Sequence, residues 1–106
     1  MAEQHDVVWL HGEAEITLVD LAETTGLPEE VVRELVDYGV LQPAGEGAQW
    51  CFRAECVARV RTAARLRNDL ELETPALALV LSFLERIQRL EAQVRHLHAQ
   101  VAPPRR

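Results

Sequence analysis

Glu30, Glu34 and Asp37 follow one another at steps of four and three, a spacing that gathers three carboxylates on one side of a helix, with Glu29 beside them and Glu23 just upstream. One base, Arg33, lies among them. The chemistry open to such a set is recognition: it attracts a basic surface and repels a phosphate backbone. Other reactive groups are sparse. Cys51 and Cys56 are the only cysteines, and the four residues between them suit neither a metal knuckle nor a redox pair, so two reduced structural thiols are expected. His96 and His98 point to different sides of a helix and do not chelate one ion, and nothing converges on His5 or His11. No nucleophile is paired with a base, and no glycine loop leads into a helix in a phosphate-cradling pattern. The expectation is a binding protein with no catalysis, metal, cofactor or small-molecule substrate.

The elements that must position the carboxylates are marked by local signals. Thr17 offers a capping oxygen, Asp20 follows three residues later, and Leu18, Leu21 and Ala22 form one apolar stripe, so a helix begins here. Gly26 ends it in a left-handed conformation. Pro28 fits the first position of a second helix, where its missing N–H costs nothing, and Glu29 and Glu30 complement the positive end of the dipole. Val32, Leu35 and Val36 pack inward, and Gly39 stops the run before Val40 and Leu41. Residues Thr17 to Leu41 therefore read as a helix-turn-helix whose outer, DNA-facing side carries acids instead of bases.

Pro43, Gly45 and Gly47 make a turn-rich loop, and alternation places Trp50 and Phe52 on one side of an extended segment, a small wing. Val7 to Leu10, followed by a turn at His11-Gly12, is compatible with either a strand or an unstructured arm. A third helix is expected from about Ala54 to Leu70, with Cys56, Val60, Ala63 and Ala64 inward and Arg59, Arg61, Arg65 and Arg67 mostly outward. Thr74 as cap and Pro75 as first residue open a fourth, running to about Val101 before Pro103 and Pro104. Along it Leu77, Leu81, Leu84, Ile87, Leu90, Val94, Leu97 and Val101 recur at steps of three or four. A stripe that long exceeds what a small head can cover, so pairing with a second copy is expected through Leu77, Leu81, Leu84, Ile87, Leu90, Val94 and Leu97. The organisation is mainly α: a head over residues 1–72 and a dimerisation helix with a short tail over 73–106.

At 106 residues the chain suits one small domain with such an arm. It has no apolar run long enough for a bilayer helix and no secretory start, so a cytoplasmic protein is expected, with no membrane association. Charge is unevenly divided. The first fifty residues hold eleven acids and one base, and the rest six acids and ten arginines, so segments of −10 and +4 give the total of −6; there is no lysine. The halves can neutralise each other in part, with the third-helix arginines linked to acids of the first half, or the acidic half can face a basic partner.

The helix-turn-helix, the wing ending in Trp50-Cys51-Phe52, the Arg65-Leu66-Arg67 stretch and the long last helix together resemble the MerR-like winged helix-turn-helix superfamily. Within it, Thr25-Gly26-Leu27, Glu29-Glu30, Gly39-Val40-Leu41-Gln42-Pro43, Trp50-x-Phe52, Asp69-Leu70-x-Leu72, Pro75 and Ala78-Leu79-x-Leu81 are similar in order and spacing to the chaperone-modulator family CbpM. Arg53 departs from the pattern, standing where an acidic or small capping residue is more usual.

The resemblance implies a protein that binds the J domain of a DnaJ/CbpA-like co-chaperone and inhibits its stimulation of the Hsp70 partner DnaK, as an antiparallel homodimer. A J domain meets its chaperone through a basic helical face, so Glu29, Glu30, Glu34 and Asp37 become the expected partner-binding residues. The long helices, with Glu85, Arg86 and Arg89 beside the apolar seam, offer a second surface. The alternative is a MerR-type transcription regulator, which the acidic outer helix and a wing with Glu46 and no base disfavour.

Overall fold

The structure, a computed structural model, describes residues 7–10, 13–45 and 50–101. Among the described residues strands β1 (Val7–Leu10), β2 (Glu13–Thr17) and β3 (Cys51–Arg53) form one antiparallel sheet in that order, with four helices: α1 (Leu18–Thr25), α2 (Glu29–Asp37), α3 (Cys56–Leu70) and α4 (Thr74–Val101). Val7 to Leu10 is thus a strand, its register set by Val7 opposite Ile16 and Leu10 opposite Glu13. His11, Gly12, Glu46 and Gly47 lie outside the described residues, as do His5 and the segment 102–106.

Thr17 ends β2 and caps α1 in the same step, its Oγ1 accepting from the Asp20 N–H at 3.2 Å. The Leu18 N–H, another donor left over at the helix start, goes to the Trp50 carbonyl at 3.3 Å and ties α1 to the wing. Thr17→Ala removes the cap from a junction shared by sheet and helix and is expected to cost about 1 kcal/mol, read as a lower urea midpoint at unchanged m-value.

Gly26 (φ +86°) and Gly39 (φ +81°) take the left-handed turns that α1 and α2 need to end. Around Gly39 the Gly39 N–H bonds the Val36 carbonyl and the Val40 N–H bonds that of Leu35, the paired closure that returns Val40 and Leu41 to the core. Three boundaries shift by a residue or two. Pro28 precedes α2 with extended backbone, so it occupies the capping position and Glu29 the first helical one. Ala54 and Glu55 form a turn and α3 starts at Cys56. The first bond of α4 runs from the Leu77 N–H to the Glu73 carbonyl, which puts the cap at Glu73 and not Thr74. Between α3 and α4 the chain turns at Glu71, a non-glycine residue in left-handed backbone at φ +52°.

The core lies where the sheet, α1, α2, α3 and the first turns of α4 meet. Leu21, Val32, Leu35, Phe52, Val60, Ala63 and Leu77 are completely buried there. Phe52 faces Ile16 across the β2–β3 pair, and Trp50, on the same side, meets its ring edge-on at a centroid distance of 6.3 Å. Cys56, Val60, Ala63 and Ala64 form the inward side of α3, while Arg61 and Arg65 are exposed and Arg59 and Arg67 half-buried.

Candidate partner-binding surfaces

On α2 the inward side is Val31, Val32 and Leu35, and everything opposite is charged: Glu29, Glu30, Arg33, Glu34 and Asp37 are all exposed. At about 100° per residue, Asp37, Glu30 and Glu34 fall within an arc of roughly 60° centred on the solvent side. Arg33 sits to one flank with its guanidinium 5.4 Å from the centroid of the Trp50 ring, so the one base of the helix leans on the wing. None of Glu30, Glu34 and Asp37 joins an ion pair among the described residues. Arg59 pairs with Glu85 at 3.7 Å and Arg89 with Glu85 at 3.3 Å, within the arginine-bearing second half, so the acid partner of Arg59 is Glu85 and not a carboxylate of the first half.

Placement along the helix adds a second physical fact. Glu29 and Glu30 in the first turn stabilise α2 through its dipole, but Asp37 ends the helix and no basic residue lies in that last turn. A carboxylate at the negative end opposes the dipole by roughly 0.3–1 kcal/mol, and Glu30 and Glu34 repel each other as an i,i+4 pair. The local fold gains nothing from Glu34 and Asp37 at these positions.

Tertiary structure then brings in residues that local sequence does not flag. Glu34, Asp37 and Tyr38 line a shallow cleft together with Glu73, Thr74 and Pro75 at the start of α4. Glu73 adds a third carboxylate to the pair from α2, and exposed Tyr38 supplies an aromatic surface beside them. Glu23 on α1 is exposed as well.

The expected single stripe of α4 is in fact two. Leu77, Ala78 and Leu81 are buried in the chain's own core, with Leu84 partly buried against it. On the far side Leu79, Phe83, Ile87, Leu90, Val94, Leu97 and Val101 are all about half exposed or more. From Phe83 onward this outer stripe alternates steps of four and three, the spacing of a coiled-coil seam. Leu79 and Phe83 thus enter the uncovered face, whereas Leu77 and Leu81 serve the head. Arg89 is tied to Glu85 beside the seam, and Arg86 is exposed.

The remaining reactive groups stay apart. Cys51 and Cys56 are free thiols, and burial pushes the Cys56 thiol up from its ordinary value against the pull of Arg59, which keeps it protonated and unreactive. His96 shares an i,i+4 contact with Gln100 at 3.1 Å. Among the described residues no three of His, Cys, Asp or Glu converge as metal ligands, and no helix is long and apolar enough to cross a membrane.

Comparison with known proteins agrees with this geometry. A family model described as MerR HTH family regulatory protein matches residues 16–99. Proteins named chaperone modulatory protein CbpM are similar over most of the chain. That of Coxiella burnetii (Dugway strain) is 32% identical over 79 residues, 74% of each chain. That of Citrobacter koseri is 37% identical and that of Salmonella arizonae 35%, each over 82 residues covering 76% of this chain and 81% of the relative. These relatives are named as modulators and not as enzymes. On the helix-turn-helix, the wing, the long last helix and these matches, the chain belongs to the MerR helix-turn-helix family and, within it, to the chaperone modulatory proteins CbpM.

Proposed function

We propose that this protein is a cytoplasmic chaperone modulator that binds the J domain of a DnaJ/CbpA-like co-chaperone through the acidic outer face of α2 and so keeps that J domain from stimulating DnaK. The observation that carries the proposal is the position of the carboxylates. Glu34 and Asp37 stand where they weaken their own helix, have no ion-pair partner among the described residues, and meet Glu73 in one cleft. A surface of this sign steers a basic helix into place and competes with any other acidic ligand for it. Two copies joined through the outer stripe of α4 present two such faces.

The charge reversal Glu30→Lys/Glu34→Lys/Asp37→Lys tests it, with circular dichroism and light scattering confirming an intact fold and assembly. Titration calorimetry against the J domain is expected to show affinity reduced about 10- to 100-fold, since solvent-facing charge contacts are each modest and act together. The wild-type affinity should fall as salt is raised. Affinity unchanged by the reversal would sink the assignment. Duplex DNA at low salt serves as the counter-test, because a transcription regulator binds it there with a steep salt dependence and this acidic face does not.

A further inference from the structure

Arg61, Arg65 and Asn68 follow one another on α3 at the same steps of four and three as Glu30, Glu34 and Asp37 on α2, and all six are exposed. At about 100° per residue both sets fall within an arc of roughly 60° and extend about 10 Å along their helix. The two arcs have one shape and opposite chemistry. Arg59 is committed within its own chain, to the Val40 carbonyl at 3.4 Å and to Glu85 at 3.7 Å, and Arg89 is tied to Glu85. Arg61 and Arg65 join no ion pair among the described residues, although Asp69 lies one turn beyond Arg65, and as an i,i+4 pair they repel each other.

Both helices pack on α1 with these arcs turned to solvent, so one molecule does not bring its own two faces together. Two molecules can. A planar guanidinium offers paired donors to a carboxylate, and the Asn68 amide supplies further N–H groups, so the ridge on α3 accommodates the three carboxylates of an α2 helix laid along it. What selects a second copy over other acidic surfaces is the match: the spacing, arc and number of carboxylates that the ridge demands are those its own α2 presents. The chain also supplies both faces at equal concentration.

We propose that the ridge of Arg61, Arg65 and Asn68 docks the acidic α2 face of a second copy, so that the protein covers its own co-chaperone surface as its concentration rises. The self-contact stands by itself, and its effect on the co-chaperone rests on the J-domain reading above. Pairs of exposed charges each contribute little, so the contact is weak and is lost in salt, unlike pairing through the apolar stripe of α4. Weak docking leaves the α2 face open while the protein is dilute and covers it when the protein accumulates.

Sedimentation equilibrium of the full chain over a concentration series is the test, with the weight-average mass of concentrated protein expected to be at least about 1.5-fold higher at about 20 mM salt than at about 300 mM. Arg61→Glu/Arg65→Glu and, separately, Glu30→Lys/Glu34→Lys/Asp37→Lys are each expected to abolish that rise with circular dichroism unchanged. Mixed in equal amounts, the two variants again carry complementary faces, and the rise is expected to return. In calorimetry at low salt, apparent J-domain affinity for the wild type is expected to fall about twofold from dilute to concentrated protein and to stay constant for Arg61→Glu/Arg65→Glu. A wild type whose mass ignores salt, as it would if the ridge served another acidic protein, overturns the self-docking site. So does a rise that survives either reversal, or a mixture that fails to associate, and in each case the co-chaperone reading is left standing. Salt-sensitive association with rescue by mixing, in a protein that never binds the J domain, would do the reverse.

Discussion

Leu90→Lys/Val94→Lys is expected to convert the proposed dimer to a folded monomer, with the dimer dissociation constant raised at least about 100-fold. Leu90 and Val94 are 52% and 59% exposed and sit in the middle of the outer stripe of α4, where Ile87, Leu97 and Val101 continue the row. Burying one such side chain fully is worth roughly 1.5–3 kcal/mol, so a row of them has a strong drive to find a partner surface of equal length. A second α4 is the partner proposed for it. Two lysines per chain would bring four ammonium groups to the centre of that seam, each with a large desolvation cost. The head should survive, because Leu77, Ala78 and Leu81, which hold α4 to it, face the other way. Loss of some helical signal is expected too, since the far half of α4 without its partner is a marginal isolated helix. Analytical ultracentrifugation across a concentration series, with thermal melts of the head, checks both halves. A variant that still sediments as a dimer, or a wild type that sediments as a monomer, would rule the seam out.

What the sequence made legible was whatever depends on neighbours along the chain. Thr17 as a cap and Gly26 and Gly39 as left-handed stops follow from backbone chemistry within a few residues, and all three hold. Whether Val7 to Leu10 forms a strand depends on β2 as a partner, and four apolar residues carry no record of that. The stripe on α4 failed for a geometric reason. Each step of three turns the helix back by about 60°, and the three in succession from Leu81 through Leu84 and Ile87 to Leu90 carry the row to the opposite side. A list of steps of three and four thus reads as one face while crossing from the core to solvent. Glu73 and Glu15 were illegible for another reason: an acid in a turn and an acid in a strand look like ordinary solvated residues until tertiary packing puts one beside Asp37 and buries the other.

Charge was legible as a sum and not as a function. The count of eleven acids against one base in the first half allowed neutralisation by the arginines of the second. The structure shows Arg59 and Arg89 both turned to Glu85 within the second half, so the carboxylates of α2 stay without an internal counterion among the described residues. That separates a surface available to a basic partner from one spent on the fold, a distinction no composition carries.

The largest effect on stability is expected at Phe52, where the wing meets the core. Phe52→Ala should cost about 3–5 kcal/mol, the sum of lost burial and of the void that its neighbours fill only in part. Its ring is completely buried in the same core as Leu21, Leu27 and Val60, and its edge-on contact with Trp50 adds a share that an aliphatic side chain of similar size does not restore. For a domain whose whole stability is on the order of 5–15 kcal/mol, the change should lower the melting temperature by roughly 15–30 °C. Phe52→Leu, which keeps most of the volume, should cost markedly less. Both are to be measured at one fixed protein concentration, because the apparent stability of the proposed dimer depends on it. A loss below about 1 kcal/mol for the alanine variant would contradict the packing described. The consequence reaches the partner surface, since Phe52 supports Trp50 and Trp50 holds the guanidinium of Arg33 at 5.4 Å. With that support gone, Arg33 is released to swing toward Glu30 and Asp37 and reduce the negative field that a basic partner meets. J-domain binding should therefore weaken in Phe52→Ala even at temperatures where the variant is still folded.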